Sequence, residues 1–166
     1  MRIHVTGNAG AGKTTLAREL GKRLGAPVVH LDRVVWRSGW KKVPMTEKDE
    51  LLRHIAEPSS WLIEGVSGVV RQRADLVVFL DVPRHVCLWR CMKRNWRYLF
   101  RSRPELPENC PEYLIVPSLL QMIWQFPALV GARIRAEASQ SSRYVVIRSQ
   151  TDLEGWLNEF AAAYAA

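Results

Sequence analysis

The chain has 166 residues, about one domain by the usual length prior and too short for a large mechanical ATPase. Hydrophobic residues make up 48%, enough for a packed core, and 24 Lys and Arg against 16 Asp and Glu leave a net charge of +8. That excess favours anionic partners (nucleotides, nucleic acid or phosphorylated substrates) without choosing among them. The three cysteines, Cys87, Cys91 and Cys110, are an odd number. With no secretory signal before the first strand, they argue for reduced thiols and the cytoplasm.

Arg2-Ile3-His4-Val5-Thr6 reads as a short buried strand, and Thr15-Leu16-Ala17-Arg18-Glu19-Leu20 as the first turns of a helix. Between them lie Gly7-Asn8-Ala9-Gly10-Ala11-Gly12-Lys13-Thr14, which match G-x-x-x-x-G-K-[ST] at every fixed position. Strand, glycine-rich loop and helix N-terminus make a phosphate cradle. Backbone N–H groups face inward and the helix dipole adds positive potential. Gly7, Asn8, Ala9, Gly10, Ala11, Gly12, Lys13, Thr14 and Thr15 are therefore the candidate nucleotide-binding residues. Lys13 is expected to reach the β- and γ-phosphates, and the Thr14 hydroxyl to hold Mg²⁺. A dinucleotide site of the G-x-G-x-x-G kind fails on spacing, because Ala9 stands where glycine is required.

The first helix runs to about Leu24, with Leu16, Ala17, Leu20, Gly21 and Leu24 on one face, and Gly25 and Pro27 stop it. Val28-Val29-His30-Leu31 suits a second buried strand ending at Asp32, and strand, helix, strand over this length predicts a parallel sheet. The chain then turns aromatic and basic, with Arg33, Trp36, Arg37, Trp40, Lys41 and Lys42. It leaves the carboxyl end of a strand, where open α/β sheets bind ligands, so this is a candidate acceptor region. A surface loop with locally packed tryptophans is the alternative. Thr46 with Asp49 predicts an N-cap, followed by a helix face of Leu51, Leu52 and Ile55. Trp61-Leu62-Ile63 reads as a third strand closing on Glu64-Gly65.

Leu76-Val77-Val78-Phe79-Leu80-Asp81 reads as a fourth strand with an acid at its end. This matches the Walker-B pattern and assigns Asp81 to Mg²⁺, directly or through water. Residues 84 to about 100 return to helical spacing, with Val86, Leu88, Trp89, Met92, Trp96 and Leu99 as apolar positions. No acid occurs between Asp81 and Glu105, yet seven Lys or Arg do. Charge runs are usually solvated faces. The functional reading is a lid that closes arginines over transferring phosphates. Cys87 and Cys91, four apart, share a helix face and fit core packing better than a metal site.

Residues 113–132 carry no charge over 20 positions, long enough to span a bilayer. Pro117, Ser118, Gln121, Gln125 and Pro127 within them favour a buried or interface helix kinked at proline, not a span. Tyr144-Val145-Val146-Ile147 reads as a fifth strand, and Thr151 with Glu154 as a capping box for the last helix. No repeat or linker divides the chain. One domain over residues 1–166 is predicted, with a lid or flap insertion at about 95–115.

Taken together, these motifs resemble the adenylate-kinase-like P-loop kinases, and among them the small bacterial DNA topology modulation proteins of the FlaR type. The likeness rests on Gly7 to Thr14, His30-Leu31-Asp32 followed by Trp36 and Trp40, Arg73-Ala74-Asp75, Cys87-Leu88-Trp89-Arg90 and Asn109-Cys110-Pro111-Glu112. The resemblance implies an α/β fold of the nucleoside-monophosphate-kinase type. That fold is a three-layer sandwich around a five-stranded parallel sheet in the order 2-3-1-4-5, with a helical lid. It also implies that Leu80-Asp81-Val82-Pro83 carries the Mg²⁺-organising acid. Arg90 and Arg94, nine and thirteen residues beyond, would then lie on the phosphates. The third strand ends in Glu64-Gly65-Val66-Ser67 where the FlaR-type proteins carry Asp-Gly-Asn-Tyr, so their acceptor preference does not transfer.

The expectation is ATP- and Mg²⁺-dependent phosphoryl transfer to a small acceptor such as a nucleotide or nucleoside, by a monomer or homodimer. Such transfer needs in-line positioning and charge neutralisation more than covalent help. Lys13, Thr14, Asp81, Arg90 and Arg94 supply those parts. Asp32 would accept the acceptor hydroxyl's hydrogen bond and act as base, with Glu64 as the rival carboxylate. A nucleotide-dependent DNA-binding regulator is the alternative, because the basic run interleaves with Trp89, Trp96, Tyr98 and Phe100. A GTPase is disfavoured by the lack of an Asn-Lys-x-Asp motif.

Overall fold

The computed structural model describes residues 1–97 and 112–164. Five strands form one parallel sheet: β1 (Arg2–Gly7), β2 (Val28–His30), then β5 (Trp61–Glu64), β6 (Leu76–Leu80) and β7 (Tyr144–Ile147). Between β2 and β5 the short strands β3 (Trp36–Arg37) and β4 (Lys41–Lys42) pair separately as an antiparallel hairpin. The sheet order is β2-β5-β1-β6-β7, which is 2-3-1-4-5 for the five core strands, as expected.

Side chains alternate across the central strands. Ile3, Val5, Leu62, Val78, Leu80 and Ile147 pack with helices α1 (Lys13–Leu24), α5 (Arg84–Arg97), α6 (Val116–Phe126) and α8 (Gln150–Tyr164). Trp61, Ile63, Val77, Phe79 and Tyr144 pack on the other side with α2 (Leu31–Val35), α3 (Met45–Ile55), α4 (Gly68–Arg73) and α7 (Ala132–Ala138). Strands covered on both faces explain the unbroken apolar runs.

Several boundaries differ from expectation. Helix α3 starts at Met45 after Pro44, and no side chain caps it. The last helix is capped two residues earlier than Thr151. The Asp152 N–H donates to Ser149 Oγ at 3.0 Å, and the Ser149 N–H donates to the Asp152 carboxylate at 3.1 Å. On α5 the residues turned inward are Cys87, Cys91 and Asn95, while Trp89 and Met92 stand exposed. The small cysteines fit where α5 presses on the glycine-rich loop, and indole would not. Burial, with a smaller push from Cys91, raises the Cys87 thiol to about 11, consistent with a packing role.

The uncharged stretch forms α6, one π-helical turn from Pro127 to Gly131, and then α7. No helix among the described residues is long and apolar enough to cross a membrane. Most of the predicted lid or flap at 95–115, and Cys110 with it, lies outside the described residues.

Candidate functional site

The site is built where β1 ends. Gly10 (φ +80°) and Gly12 (φ +104°) occupy the left-handed region that side chains avoid. A Cβ on Gly10 would also strike the Cys87 carbonyl and come within 2.9 Å of Cys91 Sγ, so the loop sits hard against α5. Asn8 ties it to α6, donating from Nδ2 to the Ile123 carbonyl at 2.9 Å, while its Oδ1 accepts from the Ala9 N–H at 2.8 Å. Gly12 is the N-cap of α1; no side chain caps the helix and its first turn holds no acid. Such an end presents backbone N–H groups to an anion. Lys13 Nζ folds back over the loop and donates to the Asn8 carbonyl at 3.0 Å.

The neighbouring strands bring side chains to this cradle at their carboxyl ends. Val5 pairs with Glu64 on β5, and His30 at the end of β2 pairs with Glu64 in turn. Glu64 is 4% exposed. Its Oε1 lies 2.8 Å from His30 Nδ1 and accepts from the Thr14 hydroxyl at 3.3 Å. A carboxylate only accepts, so His30 Nδ1 is the donor. Burial alone would raise the Glu64 pKa. The His30 hydrogen bond, the Lys13 charge and the Thr14 hydroxyl outweigh it and hold the carboxyl below its ordinary value.

On the other flank Gly7 pairs with Leu80, so Asp81 follows beside the loop. Its carboxylate is held by Arg135 of α7, with Nη1 2.8 Å from Oδ1, and Arg148 Nε lies 3.9 Å from Oδ2. Arg135 also donates to the Pro127 carbonyl at 2.7 Å. Asp81, expected beside the metal-binding hydroxyl, is thus engaged by arginines. The carboxylate beside Thr14 is Glu64.

Arg90 reaches the loop, its Nη1 donating to the Ala11 carbonyl at 3.4 Å. Arg94, one turn on, lies along its own helix, with Nη2 3.4 Å from Asn95 Oδ1 and 3.6 Å from Cys91 Sγ. Asp32 is exposed in the first turn of α2, directly after β2. A cavity of about 790 Å³ opens on the β6–β7 side of the loop. Gly12, Thr15, Arg18, Val86, Arg90 and Ser149 are among its lining residues. Its size suits a nucleoside.

The oxygens of Thr14 and Glu64 fit a hard cation such as Mg²⁺, which is usually held by one or two protein oxygens with phosphates and water. Among the described residues no group of three His, Cys, Asp or Glu could hold a metal without such help. The sequence reading missed His30 and Arg135. His30 stood in a quoted motif without a role. Arg135 is 54 residues from Asp81, and nothing local marks it.

No family model matches the chain. One curated relative, the uncharacterized protein YqaC of Bacillus subtilis (strain 168), is 30% identical over 101 residues. The match covers 57% of this chain, and it spans only 57% of that protein's length. Several solved structures are similar over nearly the whole chain. Shikimate kinase from Acinetobacter baumannii in complex with shikimate has a TM-score of 0.57 at 18% identity, covering 97% of this chain and 92% of that one. Shikimate kinase from Bacteroides thetaiotaomicron gives 0.54 at 20%, covering 100% and 99%. Deoxyadenosine kinase from M. mycoides, with products dCMP and dCDP bound, gives 0.53 at 14%, covering 98% and 100%. These likenesses show that the chain has the fold of the P-loop kinases.

Proposed function

We propose that the chain transfers the γ-phosphoryl group of ATP, with Mg²⁺, to a hydroxyl of a small acceptor such as a nucleoside or nucleotide. The observation that carries this reading is the buried, ionised Glu64 set between His30 and the Thr14 hydroxyl at the mouth of the uncapped α1 N-terminus. A merely structural acid would not need a hydroxyl and a lysine of the phosphate loop beside it. Similar folds in the shikimate and deoxyadenosine kinases support a small hydroxylated acceptor.

In this reading the N–H groups of residues 10–15 and the Lys13 ammonium neutralise the phosphates. Arg90 adds a fixed cation beside Ala11. Thr14 and Glu64 would hold Mg²⁺, which would supply positive charge to offset that of the phosphates. His30 keeps the Glu64 carboxylate oriented and ionised. Asp32, exposed where β2 ends, accepts the acceptor hydroxyl's hydrogen bond and then its proton. The cavity lined by Gly12, Val86 and Ser149 takes the nucleoside end of ATP. The domain is a single catalytic unit, with Asp81 held by Arg135 beside the loop.

The test is ADP release by the purified chain with ATP, Mg²⁺ and a panel of nucleosides, nucleotides and small hydroxylated metabolites. One acceptor class should raise release well above basal hydrolysis, and Asp32→Asn should abolish that rise while leaving ATP binding intact. ATP binding lost with Asp32→Asn, or no acceptor-dependent release from any class, would overturn the reading.

A further inference from the structure

Two sequence features are only partly used by this chemistry: the acid-free basic run that opens at Arg84, of which Arg90 serves the phosphate loop, and the uncharged stretch at 113–132. The fold brings them side by side. Helices α5 and α6 pack together, and the Arg84 guanidinium lies over the Trp124 ring, 3.7 Å from its centroid. Cys87, Cys91, Leu119 and Ile123 face the core. On the outer surface Trp89 and Met92 are three apart on α5, and Leu120 and Trp124 four apart on α6, so each pair shares a helix face. Trp89 is 67%, Met92 61% and Trp124 56% exposed. Of the eleven exposed large apolar side chains among the described residues, eight lie on α5 or between Tyr113 and Leu129, and Trp89, Met92, Leu120 and Trp124 are the ones on the paired faces. A concentration of this kind marks an interaction surface.

Charge selects the partner. Arg84 and Lys93 border the face, and no acid occurs at 82–104 or 113–136. A second copy would bring the same cations and a further +8, with no carboxylate on the matching face to pair with them. Trp89, Met92 and Trp124 are each more than half exposed on the outer surfaces of their helices. That suits a planar, yielding apolar phase better than a peptide. We infer that the outer face of α5 and α6 docks on an anionic lipid bilayer. Trp89, Met92, Leu120 and Trp124 enter the boundary between headgroups and acyl chains, where tryptophan is favoured. Arg84, whose guanidinium lies over the Trp124 ring, and Lys93 reach the lipid phosphates. No helix among the described residues is long and apolar enough to cross a membrane, so α6 is placed in the interface plane.

The experiment is co-sedimentation of the full chain with vesicles of phosphatidylcholine alone or mixed with phosphatidylglycerol, at physiological salt. The chain should pellet with the mixed vesicles and stay in solution with the neutral ones. Arg84→Gln and Lys93→Gln should each weaken binding about fivefold. Trp89→Ser with Trp124→Ser should weaken it further while leaving ATP turnover unchanged. Lipids brominated in the acyl chains should quench tryptophan fluorescence, and Trp89→Phe with Trp124→Phe, which keep the apolar bulk, should remove most of that quenching. No binding to the mixed vesicles would overturn the proposal. So would binding indifferent to the tryptophans, or self-association abolished by the same substitutions.

Discussion

Two carboxylates flank the phosphate loop, one on each neighbouring strand, and they are held in opposite ways. Glu64, ending β5, is buried against an imidazole and a hydroxyl, and the nearby Lys13 charge favours its ionised form. Asp81, following β6, is more open and is engaged by Arg135, with Arg148 nearby. The same functional group thus has different uses. A carboxylate clasped by a guanidinium has its charge answered already, whereas the one touched by Thr14 stands, in the proposed reading, where the phosphates would lie. Proximity to the loop in sequence pattern is therefore a weaker guide to role than the identity of the side chain's partners.

The largest effects should come from the Glu64 flank. Lys13→Ala and Glu64→Gln should each lower turnover by about 10²–10³, the usual cost of losing one charge-stabilising group, with the fold retained. Asp81→Asn should cost less than about tenfold and lower the thermal midpoint by about 2–4 °C, because it strands Arg135 in a partly exposed pair. Parallel turnover and melting measurements on the three variants read this directly. A deeper, Mg²⁺-dependent loss in Asp81→Asn than in Glu64→Gln would reverse the comparison.

Arg90 and Arg94 sharpen it on the helix above. Arg90→Lys should lose about 10² in turnover, because an ammonium cannot reproduce the guanidinium fork at the loop. Arg94→Lys should keep most of it, since Arg94 lies along its own helix. Equal losses in a turnover assay would place both arginines on the phosphates.

The last effect, on stability and not on turnover, concerns the buried base of β1. His4 is fully buried, and its Nε2 lies 3.0 Å from the Gly65 carbonyl. Burial, against a smaller opposing pull from that hydrogen bond, lowers its pKa from 6.5 to about 3. A histidine kept neutral in the folded state binds its proton more readily when unfolded. Its contribution is therefore complete above about pH 6.5 and declines as pH falls toward 3, at up to about 1.4 kcal/mol per pH unit. The lowered carboxyls of Glu64 and Glu137 act only below about pH 4.5. Between pH 6.5 and 4.5 the wild-type melting temperature should therefore fall while that of His4→Gln stays nearly level. Parallel slopes would mean that His4 is not the group responsible.

The phosphate loop, the five core strands and their order were legible in the sequence, the order through the family resemblance. Gly10 and Gly12 act through local backbone geometry, Lys13 reaches back over the same short loop, and a buried parallel strand must be apolar throughout. The partners of the acids were not legible. His30, Glu64 and Thr14 come from three separate elements, and Arg135 reaches Asp81 from a helix 54 residues away. Helical spacing likewise left open which side of α5 faces the core. Tertiary packing settled it by turning Cys87 and Cys91 toward Gly10 and leaving Trp89 and Met92 outside. Local sequence sets what backbone a segment can adopt, but the charge state and partners of a side chain depend on distances between elements, which exist only once the sheet has closed around them.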